Sequence, residues 1–243
     1  HMDSPYSVES NGVYHNGHKI TEADPETFSI YPDQTLDVYA KDDAHIYFKG
    51  KILENFDPKK ELKTVSRSAA YIIYDNKVYL YNEEIKGADP DTFQRMSSGY
   101  SKDNEYVFDK LSAIDGLEPN LTRELKIDGT LGIFLTDDTN VYYRDMRQNG
   151  RMIMAPDIPT LRSITQGRIF LVDKNHVYYL GETVEDADPA TFKIVCTETC
   201  SRLDEELADY SKDDHAVYYR KHHEKHESES EIFVMQNADP NTF

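Results

Sequence analysis

Tryptophan is absent from this 243-residue sequence, cysteine occurs twice, and basic residues number 27 against 45 acidic ones. No stretch of about 18 apolar residues occurs, so nothing reads as a membrane-spanning helix. The shortage of positive charge leaves a net charge of -18. An acidic surface of that size repels nucleic acid and anionic membranes, which argues against both as partners. It suits a basic partner or cations, with plain solubility as the bland alternative. Enzyme signatures are missing too: there is no G-x-S-x-G elbow, no phosphate-binding glycine loop and no dinucleotide fingerprint. Carboxylate pairs carry no information among 45 acidic residues, and Cys196 and Cys200 lack the C-x-x-C redox spacing. These absences lead to the expectation of a protein that is not an enzyme and needs no cofactor or metal.

What the chain does have is tyrosine, 18 of them within an aromatic content of 12%. Together with Val, Ile and Lys-containing turns, that favours strands over helices. The tyrosines recur with a period. An aromatic residue opens each of seven repeats, at Tyr6, Tyr39, Tyr71, Tyr100, Phe134, Phe170 and Tyr210. Seven residues later comes Val or Ile, at Val13, Ile46, Val78, Val107, Val141, Val177 and Val217, and the next residue is always aromatic. In five repeats the acidic residue of an Asp/Glu-Pro step follows the Val or Ile by 11 residues. A period near 32 residues is the signature of a repeat architecture.

One repeat can be read physically. The opening aromatic begins a strand, and "KDD", "KDN" or "DKN" makes a polar turn, because Asp and Asn tolerate the left-handed region and bond their own backbone. The β-branched and aromatic run is the return strand. Asn16-Gly17, Lys49-Gly50 and Leu180-Gly181 then suit tight hairpin turns into a third, short strand. The Asp-Pro step resembles a helix start, with Asp capping and Pro at the first helical position. Adjacent Val and Tyr point to opposite faces, so both faces need cover, and one meander cannot supply it alone. The expectation is an all-β fold: seven three-stranded meanders stacked as a solenoid-like or propeller-like array, with short helical turns at the Asp-Pro steps. Residues 1–5 read as a vector remnant (His1-Met2) and tail, and residues 6–243 as a single array.

The segments "DKNHVYY", "KDDHAVYY" and "TDDTNVYY", with the recurring "ADPxTF", resemble the bacterial DKNYY family. The resemblance runs from Tyr6 to Phe243. It implies an exported bacterial protein or lipoprotein of unassigned activity, located in the periplasm or attached to the outer membrane, with any lipid anchor upstream of the sequence. It brings no set of catalytic residues. In such a compartment Cys196 and Cys200 would form a disulfide that pins a loop; in the cytosol they would be free thiols or part of a metal site.

Two repeats break the spacing. The Val-to-Asp interval grows to 16 in the fifth (Val141 to Asp157) and to 22 in the seventh (Val217 to Asp239). The added residues lie around 144–151 and 220–231, both in the same hairpin loop, so both should emerge at one edge. A third irregularity, "CTETCSRLDEELAD", reads as a longer connection with a short helix capped by Ser201. The planar donors Arg144, Arg147 and Arg151, with Asn149, His222, His223, His226 and Glu227, become candidate contacts for a protein partner. "HHEKH" places His222 and His226 four apart with Glu224 and Glu227 near, but the order fails the zinc-protease motif, and a solvated charge run explains it better. Calcium turns are also disfavoured, since the carboxylate turns lack a glycine bend and a closing Glu. The expectation is a protein-binding β-repeat protein, in its most concrete form an immunity protein that neutralises an antibacterial toxin. A structural or adhesive envelope protein is the first alternative, and a cryptic hydrolase or metal-binding protein the second.

Overall fold

The structure, a computed structural model, describes residues 4–31, 39–65, 71–97, 99–130, 133–144, 150–164, 170–195, 209–223 and 226–243; for 222, 223 and 226–230 it describes the backbone. Contacts divide the chain into two compact units, residues 1–115 and 116–243. Both are all-β and contain antiparallel meanders in sequence order.

The first unit holds four sheets. They are β1 (Tyr6–Glu9), β2 (Gly12–His15) and β3 (His18–Ile20); β4 (Ser29–Ile30), β5 (Tyr39–Lys41), β6 (Ile46–Phe48) and β7 (Lys51–Ile52); β8 (Leu62–Thr64), β9 (Tyr71–Tyr74), β10 (Lys77–Leu80) and β11 (Glu83–Glu84); and β12 (Gln94–Arg95), β13 (Tyr100–Lys102), β14 (Val107–Asp109) and β15 (Ser112–Ile114). The second unit holds three: β16 (Arg123–Leu125), β17 (Phe134–Thr136), β18 (Val141–Arg144) and β19 (Gly150–Ile153); β20 (Arg162–Ser163), β21 (Phe170–Val172), β22 (Val177–Tyr179) and β23 (Glu182–Thr183); and β24 (Lys193–Val195), β25 (Tyr210–Lys212), β26 (Val217–His223) and β27 (His226–Val234).

Six of these sheets have one strand more than the meander read from the sequence. The residues just after each Asp-Pro turn, such as Ser29–Ile30 and Lys193–Val195, pair with the opening strand of the next repeat. Each repeat therefore hands its last residues to its successor's sheet.

The hairpin chemistry follows the sequence. Asn16 and Gly17 have φ of 50° and 77°, Lys49 and Gly50 50° and 75°, and Leu180 and Gly181 51° and 93°. Two consecutive positive φ values define the type I′ turn, whose twist matches that of the flanking strands. The Asp-Pro steps close single turns: Asp24 Oδ1 accepts from Glu26 N at 3.0 Å and Asp188 Oδ1 from Ala190 N at 2.9 Å, so the carboxylate caps as expected. Phe192 N reaches Asp188 O at 2.9 Å, and Ile158–Thr160 winds one 3-10 turn.

Both faces of the strands are covered, as the Val-Tyr alternation requires. In the first unit, Tyr6, Val13 and Ile20 of the first sheet cluster with Ala40 and Tyr47 of the second, and Tyr39, Ile46 and Leu53 with Leu62 and Ile72 of the third. In the second unit, Phe134, Val141, Tyr143 and Ile153 cluster with Leu171 and Tyr178, while Phe170, Val177 and Tyr179 meet Tyr218. Each such side chain contributes about 1.5–3 kcal/mol on full burial, which a lone meander cannot collect.

Candidate interaction surface

At the second junction between repeats Asp57 N–H donates to the Tyr74 hydroxyl at 2.6 Å; at the other five a buried aspartate organises the contact. It lies three residues after the opening aromatic, at Asp42, Asp103, Asp137, Asp173 and Asp213, all 5% exposed or less. Asp173 shows the arrangement fully. Its Oδ1 accepts the backbone N–H groups of Asn175 and His176, both at 2.7 Å, which shapes the turn between β21 and β22. Its Oδ2 accepts the N–H of Asp157 and the hydroxyl of Tyr178, again both at 2.7 Å. Asp157 belongs to the preceding repeat, so one carboxylate ties a turn, a strand and the previous Asp-Pro step together. Asp213 repeats the pattern with His215, Ala216, Asp188 and Tyr218, and Asp42 with Ala44, His45, Asp24 and Tyr47. A threonine adds a second tie: Thr191 Oγ1 donates to Asp188 Oδ2 at 2.7 Å and accepts from Asp214 N at 3.2 Å.

Burial alone would raise the pKa of these carboxyls. The hydrogen bonds they accept outweigh it and hold Asp42, Asp137, Asp173 and Asp213 below the ordinary carboxylate value. Burial, reinforced by the neighbouring carboxylate, pushes the Tyr178 and Tyr218 hydroxyls up. With two donors on each oxygen of Asp173 and Asp213, the turn carboxylates are occupied by the protein's own N–H and O–H groups, as ordinary turn chemistry predicts. Among the described residues no cluster of His, Cys, Asp and Glu could hold a metal ion.

The two long hairpins lie in the second unit, at the strand ends opposite the aspartate turns. In the seventh repeat, β26 and β27 run seven and nine residues, whereas β25 spans three. The pairing continues past the sheet from Arg220↔Ile232 to His222↔Ser230, with a register shift before His223↔His226. His222 and His226 thus lie on facing strands of a ribbon rather than on one helical face. In the fifth repeat Arg144 pairs with Gly150 at the base of the extension.

The sequence-derived site residues divide accordingly. Arg144 is buried, at 8% exposure, and Arg151 is half-buried on β19. Arg220 occupies the position equivalent to Arg144, after Val-Tyr-Tyr, and is 7% exposed. Both extended hairpins are therefore rooted on a sequestered arginine, with Arg220 facing Asp209 at 3.8 Å. Arg147 and Asn149, Cys196 and Cys200, and the Ser201 helix lie outside the described residues, as do the side chains of His222, His223, His226 and Glu227.

Elsewhere, a depression of about 590 Å³ in the first unit is lined by Lys60, Lys63, Tyr74, Asp75 and Asp91, among others. Lys60 pairs with Asp75 across it at 2.7 Å.

Among comparisons with known proteins, the family model described as the DKNYY family matches residues 6–69 and 71–222. No curated protein and no solved structure matches the chain.

Proposed function

This chain belongs to the DKNYY family of repeat proteins, and from that premise we propose that it acts by binding another protein. The observation that carries the reading is a contrast within the array. Repeats one to four and six are near-uniform scaffold, while the fifth and seventh lengthen the same hairpin, each over a buried arginine. Insertions on one edge of an array commonly form its recognition surface. In its most concrete form the protein is an immunity protein of the cell envelope, exported to the periplasm or held by a lipid anchor, that covers the active surface of a toxin. It works without catalysis. The net charge of -18 would speed encounter with a basic toxin.

Co-purification with toxins encoded next to its gene, and protection of cells expressing them, tests the proposal. Loss of both on deleting residues 145–149 and 222–230 is the expected result. A chain that neither captures nor protects, or that does both without its hairpins, overturns it. The recurrence of one junction type at five of six places favours one second reading, a structural or adhesive protein whose repeat faces are the product; it predicts that the deletions change nothing.

A further inference from the structure

In the first unit, the β2–β3, β6–β7 and β10–β11 turns bring together positive charge that no carboxylate among the described residues neutralises. His15 and His18 are directly opposite on β2 and β3, so both side chains point to one face. That face meets the second repeat: a Cβ added at Gly50 would lie 2.7 Å from the His15 Cβ. His15 also packs on the Tyr6 ring at 4.7 Å, and the Tyr6 hydroxyl accepts the Gly50 N–H at 2.8 Å. Lys49, at the tip of the same turn, holds its ammonium over two rings, Phe48 at 5.2 Å and Tyr81 of the third repeat at 5.4 Å. Lys51, opposite Phe48, is exposed. None of these four cationic side chains is in an ion pair, although the chain has 45 acidic residues to offer. Burial and the repulsion of Lys49 and His18 together lower the pKa of His15.

The backbone at the same tips would be better served by other residues. Lys49 and Tyr81 have φ of 50° and 59°, in the left-handed region that Gly and Asn enter readily and a bulky side chain enters under strain. The first repeat has Asn16 at this position, whereas the fourth has Lys110. Tyr81 is the bulkiest of the set and stays 46% exposed, so burial of its ring does little to offset the strain. Its carbonyl accepts the Tyr39 hydroxyl, a bond that any residue there could make. Strain that the fold does not require, on an exposed ring beside uncompensated cations, points to use of the side chains themselves.

We propose that these turns are a docking surface for a short acidic segment of a protein partner, its carboxylates on Lys49, Lys51 and the two histidines and an apolar side chain on Tyr81. Hairpin tips project, whereas small molecules take concave sites, so the shape selects a protein. Tyrosine is enriched where such contacts are tight. A nucleic acid or an anionic membrane would extend past the patch and meet the net charge of -18. A short segment escapes most of that repulsion, because physiological salt screens exposed charges beyond about 8 Å. The surface is separate from the long hairpins, which lie in the second unit, and it selects a partner face of negative charge.

NMR spectroscopy on the full chain tests it, with a short peptide of alternating Glu and Tyr as the probe, beside its Lys–Tyr counterpart and inorganic phosphate. The Glu–Tyr peptide should shift the ring signals of His15 and His18 and move the titration midpoint of His15 up by about 0.5, since a carboxylate offsets the repulsion from Lys49. Lys49→Asn and Tyr81→Asn each give the turn a residue suited to its backbone. Both should keep or raise the midpoint of thermal unfolding, yet weaken peptide binding by about fivefold or more. Deleting residues 145–149 and 222–230 should leave this binding unchanged, which separates its failure from failure of the long hairpins. Unshifted histidines, equal shifts with the Lys–Tyr peptide, or unchanged affinity in both Asn variants overturn the proposal. A response to phosphate equal to that with the Glu–Tyr peptide overturns it too, because the site would then take any anion.

Discussion

Asp173→Asn isolates the junction between the fifth and sixth repeats. The substitution keeps the shape of the side chain and can keep the two turn bonds to Asn175 and His176. It replaces the acceptor facing Asp157 N–H and the Tyr178 hydroxyl with an amide NH₂. Hydrogen bonds to a charged group contribute about 1.5–3 kcal/mol each, so losing two removes about 3–6 kcal/mol gross. Tyr178 can turn its hydroxyl to recover part of this, leaving a net loss of about 3 kcal/mol, or roughly a hundredfold faster opening. The assay is hydrogen exchange at the Asp157 amide, which reports the junction itself without assuming that the whole array unfolds at once. Tyr178→Phe removes a single one of these bonds and should cost about 1.5–3 kcal/mol. The pH dependence gives a second reading. The folded pKa of Asp173 lies below its unfolded value of about 3.9, so its contribution is complete above about pH 4 and is lost as pH falls through the folded pKa. The difference between Asn variant and parent should therefore shrink in acid. Exchange within threefold of the parent at pH 7, or a deficit as large at pH 2 as at pH 7, would refute the carboxylate's role.

The remaining predictions use the same reasoning. Gly181→Ala should lower the midpoint of thermal unfolding more than Gly17→Ala: both have positive φ, but a Cβ at Gly181 lies 2.9 Å from Met152 O, while nothing is within 4 Å of Gly17. Ser101 and Ser211 are buried, and their hydroxyls have no hydrogen-bond partner in the structure, so either Ser→Ala substitution should leave stability unchanged or raise it by about 1 kcal/mol in urea titration. The intact chain should lose stability cooperatively below about pH 4, because Asp42, Asp137, Asp173 and Asp213 all titrate below their unfolded values; a flat profile by circular dichroism down to pH 2 would contradict this.

The period of the fold is legible because its largest side chains recur: Tyr39, Ile46 and Tyr47 occupy the same places as Phe170, Val177 and Tyr178, and all are buried. The hairpins at Asn16-Gly17 and Leu180-Gly181 were legible because only certain residues take positive φ without strain. The added strand of six sheets was not. Segments of two or three residues, such as Gln94–Arg95, have no periodicity of their own and exist by pairing with a neighbour. The aspartate was legible as a turn former but not as a bond between repeats, since its donors at Asp24 and Asp188 lie 18 and 25 residues away. Arg144 was singled out by its position in a long hairpin; the structure adds that it stands at the root and is buried, beside the row formed by Phe134 and Tyr143.

Because the Asp/Glu-Pro turn of each of the first six repeats is completed by a residue of the repeat that follows it, the sequence period and the physical building block are offset from one another. A gene segment of one full period can be duplicated from any starting point and still deliver one donor turn and one acceptor oxygen. Lengthening by a fraction of a period cannot, and it leaves a buried charge without its donors. The array is thus tolerant of growth in whole steps and intolerant of any other kind, a constraint that acts on the gene through a single oxygen atom per repeat.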